Sequence, residues 1–255
     1  MRASLVMRRL LRALMFLAAI TTCFGASRAV AGPPYVTDDP EPVDHRHWEI
    51  NTAVTYANSG SGEVSGNLPL AEFNYGIVPN AQITLDLPMA YDYTADSHKY
   101  AYGATGLGAK YRFVQESSHM PEIAFAPSVQ FPVNAGDHAV TFLPLWAQKN
   151  FGSWSVFGGG GVYINTGPGN RDFTYLGAVL THDVSPATTL GVELFHQSAD
   201  TIDGSDTTGA NLGMVSQIGE HHAILLSLGR ALHGSNSFMG YLAYRFMLGP
   251  EEAKK

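Results

Sequence analysis

Between Trp48 and Phe246 apolar and polar side chains alternate in short bursts, and twelve such stretches follow one another along the chain. The clearest runs from Ala81 to Tyr93, where Ile83, Leu85, Leu87, Met89, Tyr91 and Tyr93 share one face and Gln82, Thr84, Asp86 and Pro88 the other. A period of two over that length predicts a strand with one apolar and one polar side. The same pattern predicts strands over residues 48–58, 68–75, 81–93, 104–114, 122–132, 140–149, 154–165, 173–184, 188–197, 210–218, 222–229 and 238–248. The sixth and eighth are apolar on both sides, so periodicity leaves their orientation open.

No apolar run of eighteen residues follows Gly32, which excludes spanning by helices. Lipid offers no water to satisfy backbone groups, so a sheet that crosses it must close on itself. The expected fold class is all-β: a membrane-spanning, up-and-down antiparallel β-barrel of about 12 strands, each crossing in roughly nine to eleven residues. Connections after the second, fourth, sixth, eighth and tenth strands are mostly short. Those after the third, seventh, ninth and eleventh are longer and rich in Gly, Ser, Asp and Asn. Short turns belong on the periplasmic side, which puts both ends of the barrel there. Outward aromatics then fall into a lower band (Trp48, Phe73, Tyr75, Phe113, Trp154, Phe246) and an upper one (Tyr56, Tyr91, Tyr93, Phe131), as expected at two membrane interfaces.

The chain has 255 residues, 45% of them hydrophobic, and one cysteine. Arg2, Arg8, Arg9 and Arg12 precede an apolar stretch from Ala13 to Phe24, and Ala29-Val30-Ala31 offers a small-x-small cleavage site. Residues 1–31 therefore read as a cleaved signal peptide for export to the outer membrane. They are followed by a Pro-rich segment (32–47), the barrel (48–248) and a short tail (249–255). Removing the leader takes Cys23 and five arginines with it. That excludes a disulfide framework or thiolate metal site and leaves ten basic against 22 acidic residues, a balance that disfavours nucleic acid. The segment GPPYVTDDPEPVDHRH carries four prolines and four carboxylates, which prevent helix and sheet; it either hangs in the periplasm or tucks into the lumen.

By parity Glu49, Glu72, Asp86, Lys110, Arg112, Glu193 and Arg245 point into the lumen. Counting from the turns places Glu72, Asp86, Lys110 and Arg112 at similar depth, so they are expected to pair with one another, with small Ala124 and Ala126 leaving room. Glu49 is expected beside Arg245 across the closing seam. Such a set either fills the lumen or forms a selectivity constriction. His196-Gln197-Ser198 resembles the His-x-Ser arrangement of outer-membrane phospholipases and lipid A deacylases. Ala199 stands where those enzymes continue with Asn, and no third member is evident, so no catalytic residues are assigned. His45, His47, His221 and His222 lack a spaced partner set, and no metal or cofactor is expected. Asp200, Asp203 and Asp206 read as a hydrated acidic loop rather than a divalent-ion site shared with lipopolysaccharide. The glycine clusters at 158–161 and 103–108 open no helix and read as strand bending or close packing rather than phosphate binding.

Several segments together resemble a family of outer-membrane transporters labelled for the MetA pathway of phenol degradation: PPYVTDDPEPVDHRHWEI (33–50), AEFNYGIVPNAQITLDLPMAY (71–91), LPLWAQKNFGSWSVFGGGG (143–161), TTLGVELFHQ (188–197) and NLGMVSQIGEHHAILLSLGRAL (211–232). Where that family often carries an acidic residue near the start of its fourth strand, this chain has Thr105. The resemblance implies an envelope barrel that takes up small apolar or aromatic compounds and implies no catalytic residues. The leading expectation is accordingly a non-enzymatic channel or transporter for small molecules. Its other expected partners are outer-membrane lipids and lipopolysaccharide, and it is expected to work as a monomer. The alternatives are a plugged structural or surface-contact barrel and, behind it, an outer-membrane lipid acyl hydrolase.

Overall fold

Each alternating stretch pairs with its neighbours along the chain, and the last returns to the first. The computed structural model describes residues 33–59, 62–134, 137–234 and 237–250; the leader and residues 251–255 lie outside them. Strands are β1 (Trp48–Asn58), β2 (Val64–Val78), β3 (Ala81–Tyr93), β4 (His98–Tyr102 with Thr105–Val114), β5 (Glu122–Phe125 with Ser128–Phe131) and β6 (Val140–Phe151). They continue as β7 (Trp154–Asn165), β8 (Phe173–Ser185), β9 (Thr188–Gln197), β10 (Thr207–Gln217), β11 (His222–His233) and β12 (Phe238–Leu248). Every neighbouring pair is antiparallel, and β1 closes on β12 in an unbroken register from Trp48↔Leu248 to Asn58↔Phe238. Closure leaves no open edge in lipid. The end bearing Trp48 is called lower, the opposite end upper.

Two strands are interrupted side by side. Both pieces of β4 pair with β3, and both pieces of β5 lie between β4 and β6. The β5 break falls at Ala126-Pro127, where proline has no N–H for the ladder. The Pro127 carbonyl still accepts the Ala109 amide at 3.0 Å, and Ala126 donates to the Pro144 carbonyl at 3.2 Å. The upper piece of β4 was expected as loop; it continues the hairpin with β3, so the connection after β3 is short (94–97) rather than long. Strand β2 starts four residues earlier than periodicity predicts, because register shifts near Asn67/Leu70 and Ala53/Thr55 absorb Pro69.

Parity holds around the ring. In β1, Trp48, Val54 and Tyr56 are exposed while Glu49, Asn51 and Ala53 are buried. The two strands of open orientation send Phe142, Pro144, Trp146 and Gln148 (β6) and Phe173, Tyr175, Val179 and Thr181 (β8) inward. Their second apolar face is therefore lumen filling. Trp146, Tyr175 and Phe195 form a buried cluster joined by Phe142, Tyr163 and Met239; Ala53, Val215, Ala223, Leu225 and Ala243 form another. Opposite Trp146 in the ladder stands Gly159, at φ 147°, where a Cβ would run into the Leu145 carbonyl. Only glycine lets β7 pass this close to the Leu145–Trp146 backbone.

Candidate functional site

Four prolines keep residues 33–47 out of the ladder, and the structure threads the segment through the barrel interior. Its upper part is held by a buried carboxylate. Glu193, 1% exposed on β9, accepts the amides of Val36 (3.2 Å) and Thr37 (2.6 Å) and the side-chain amide of Asn211. Thr37 also meets the Tyr175 hydroxyl at 2.8 Å, and Ser227 donates to the Pro34 carbonyl at 2.7 Å. The Tyr35 ring packs edge-on to Phe157, 6.0 Å between centroids. Tyr35 lies on Gly191 and Gly213, and Thr37 lies on Gly177; a Cβ at any of the three would strike the segment. Burial, reinforced by Glu193, pushes the Tyr35 hydroxyl above the ordinary phenol range.

The lower part is held by charge. Lys110 Nζ lies 3.0 Å from Asp38 and 3.7 Å from Asp39. Asp39 in turn accepts the Glu41 amide at 2.6 Å, a local turn that fixes its carboxylate. Arg112 reaches Glu122 at 3.1 Å, Glu41 at 3.9 Å and Asn80 at 2.8 Å. Val43 donates to Gln82 at 2.7 Å, and the chain leaves the lumen through backbone bonds of Arg46 and His47 with Gly76. Burial pushes the Asp39 carboxyl up to about 8, outweighing the opposing pull of Lys110.

Of the residues singled out from sequence, Glu49 and Arg245 come together at 3.2 Å, with Arg245 Nε also donating to Asn51 at 3.0 Å. The expected mutual pairing of Glu72 and Asp86 with Lys110 and Arg112 is not what forms. Glu72 takes the side-chain amides of Asn51 and Asn74, each at 2.7 Å, and Asp86 keeps one buried oxygen without a hydrogen bond. Lys110 turns instead to Asp38 and Asp39 of the Pro-rich segment, and Arg112 to Glu122 and Asn80, with Glu41 of the segment at the edge of reach. Sequence reasoning missed Asp38, Asp39, Glu41 and Glu122 as partners. The only available signal was the unusual density of acid in 38–44.

A cavity of about 490 Å³ lies below, lined by the segment together with Glu49, Glu72, Asp86, Lys110, Phe142 and Trp146. A second of about 350 Å³, lined by Gln130, Pro132, His138 and Val140, lies above beside the broken strands. Phe142, Tyr163 and Ser128 line both. Phe142 and Tyr163 stack at 3.9 Å with 7° between planes, and Tyr163 stacks on Phe173 at 4.2 Å. His196, on the outer face, bonds Thr208 at 2.9 Å through Nδ1, while Ser198 accepts the Thr174 amide at 2.9 Å. Each is committed to the sheet beside it rather than arranged as a nucleophile and base. Of the acidic upper loop, Asp206 accepts the Ala199 amide at 2.9 Å, a role within the turn.

No family model matches this chain, and no curated protein matches it in sequence. Solved structures match in fold. The COG4313 outer membrane channel from Pseudomonas putida F1 aligns over 82% of this chain and 98% of its own, at 13% identity and TM-score 0.68. The KdgM porin aligns over 78% and 98% at 12% identity and TM-score 0.58, and the NanC porin over 78% and 99% at 6% and 0.57. At such identities the likeness is one of architecture: this chain has the fold of outer-membrane channel barrels.

Proposed function

We propose that this chain is an outer-membrane channel for small apolar or aromatic solutes, closed at its periplasmic end by residues 33–47. The observation that carries this reading is the Phe142–Tyr163 stack, which lines the upper and the lower cavity at once. Aromatic side chains at the junction of two cavities favour flat or apolar solutes through edge contacts and desolvation. The charged lower anchor, with Lys110 facing Asp38 and Arg112 facing Glu122 and Glu41, then acts as the constriction. The segment-level resemblance to the phenol-pathway transporters supports the same solute class, and the fold shared with outer-membrane channels supports conduction.

Purified protein in planar bilayers is expected to conduct weakly, with small aromatic solutes reducing the current. A folded barrel showing neither conductance nor solute uptake into liposomes overturns the proposal. The extent of the contacts made by residues 33–47 favours a second reading, a sealed scaffold. Deleting residues 33–46 separates the two: a several-fold rise in conductance marks a plugged channel, whereas an unchanged, silent barrel marks a scaffold.

A further inference from the structure

The lipid-facing surface carries a feature that alternation alone does not require. Across β7 to β12 the outward positions fall into two neighbouring rows in register. One row is bulky from β7 to β11, with Val156, Leu180, Val192, Leu212 and Leu228, and ends at Gly240 on β12. The row above it reads Gly158, Ala178, Leu194, Ala210, Arg230 and Phe238. Its small members, Ala178 and Ala210, leave a depression of about 610 Å³ with almost purely apolar walls. At its edge is Arg230, an exposed arginine on the outer face of a spanning strand.

A charge in that position is costly at the bilayer midplane and is tolerated near an interface. Arg230 pairs in register with Phe238, whose ring stands 6.2 Å from Tyr56 in the upper aromatic band, so the guanidinium is at interfacial height. A polar pair stands one row higher on the neighbouring strands. The next outward position above Leu194 is His196, and above Ala210 is Thr208; the two are hydrogen-bonded. The upper rim of the depression thus carries one cation and one hydrogen-bonding pair, set between the exposed Leu176 and Leu232.

We propose that this depression is a binding site for the phosphorylated glycolipid of the outer leaflet. One acyl chain lies against Leu180, Val192, Leu194 and Leu228, and a phosphate is held by Arg230 with the His196–Thr208 pair beside it. An arginine suits the anion because its planar fork donates two hydrogen bonds at once. The groove suits the chain because its walls are apolar side chains that gain by covering a methylene stem. The site accounts for the outward histidine of the His-x-Ser stretch without any hydrolytic role. It rests on the outer-membrane assignment above, but not on solute conduction.

Native mass spectrometry of the detergent-solubilised full barrel with added bis-phosphorylated lipid A tests the site. Wild type is expected to retain the lipid, and lipid A stripped of its phosphates to bind about tenfold less. Arg230→Gln should lose a similar factor. Ala210→Leu, which fills the floor without touching charge, should lose affinity for both lipids. Equal binding of the two lipids to wild type, full retention by Arg230→Gln or by Ala210→Leu, or no adduct on wild type overturns the proposal. Phosphatidylglycerol competing as well as lipid A reveals general anionic-lipid attraction and also overturns it. Conductance in a bilayer lacking lipid A reports the channel reading separately, so each idea can fail alone.

Discussion

Asp39 is fully buried beside Lys110, with Asp38 and Glu41 the other charged groups facing it. Because burial lifts its carboxyl to about 8, the docked segment keeps a proton between roughly pH 4 and pH 8 that a released segment would give up. Docking therefore weakens as pH rises through that window and is weakest above it. Conductance through the wild-type barrel is expected to rise several-fold from pH 5.5 to pH 8.5, and Asp39→Asn, which cannot ionise, to flatten the profile. A profile that falls with pH would mean that the ionised Asp39–Lys110 pair outweighs desolvation. At this scale the sequence was legible wherever both partners sit on strands: parity and depth placed Glu49 opposite Arg245, and they meet at 3.2 Å. The partners that Lys110 and Arg112 take, Asp38, Asp39, Glu41 and Glu122, were not foreseen. The reach of a Pro-rich segment has no period from which to count.

At the level of elements, the segment docks on a lane of three inward glycines, Gly177 on β8, Gly191 on β9 and Gly213 on β10. A valine at Gly213 would overlap the Tyr35 ring, and one at Gly191 the Tyr35 hydroxyl, while both face the lumen and touch no lipid. Gly213→Val is expected to evict the upper half of the segment and leave the barrel folded. The readouts are protease cutting near Val36 with the heat-modifiable gel mobility of the barrel retained; an uncut segment in a folded variant would show that the lane is not what positions it. The glycines were visible as strand residues, but their meaning depends on what lies over them. The same limit explains β6 and β8. Two apolar faces signal an apolar lumen only once Trp146 and Tyr175 are known to pack together. The breaks at Gly103-Ala104 and Ala126-Pro127 were equally hidden: one has no marker stronger than glycine, and the other lies in a stretch that alternates well enough to read as one strand.

The whole molecule depends on one seam that no short turn enforces, the pairing of β1 with β12, residues nearly the full chain apart. Its register is marked from inside by Arg245, fully buried, in an ion pair with Glu49 and donating through Nε to Asn51. Asn51 in turn donates to both Glu49 (3.1 Å) and Glu72 (2.7 Å), so a single guanidinium offsets a patch holding two carboxylates. Removing that cation while the carboxylates stay buried is expected to cost about 3–5 kcal/mol, the range for breaking a buried pair from one side. Arg245→Leu should lower the midpoint of urea unfolding in liposomes, followed by tryptophan fluorescence, and slow closure of the ring during refolding. Neutralising the partner as well, in Arg245→Leu with Glu49→Gln, should restore more than half of the loss, since most of the penalty comes from the stranded charge and not from the missing bond. If the double variant is as unstable as the single one, Arg245 acts through packing against the seam. The register would then be set by the alternation of Trp48, Ile50 and Val54 against lipid alone.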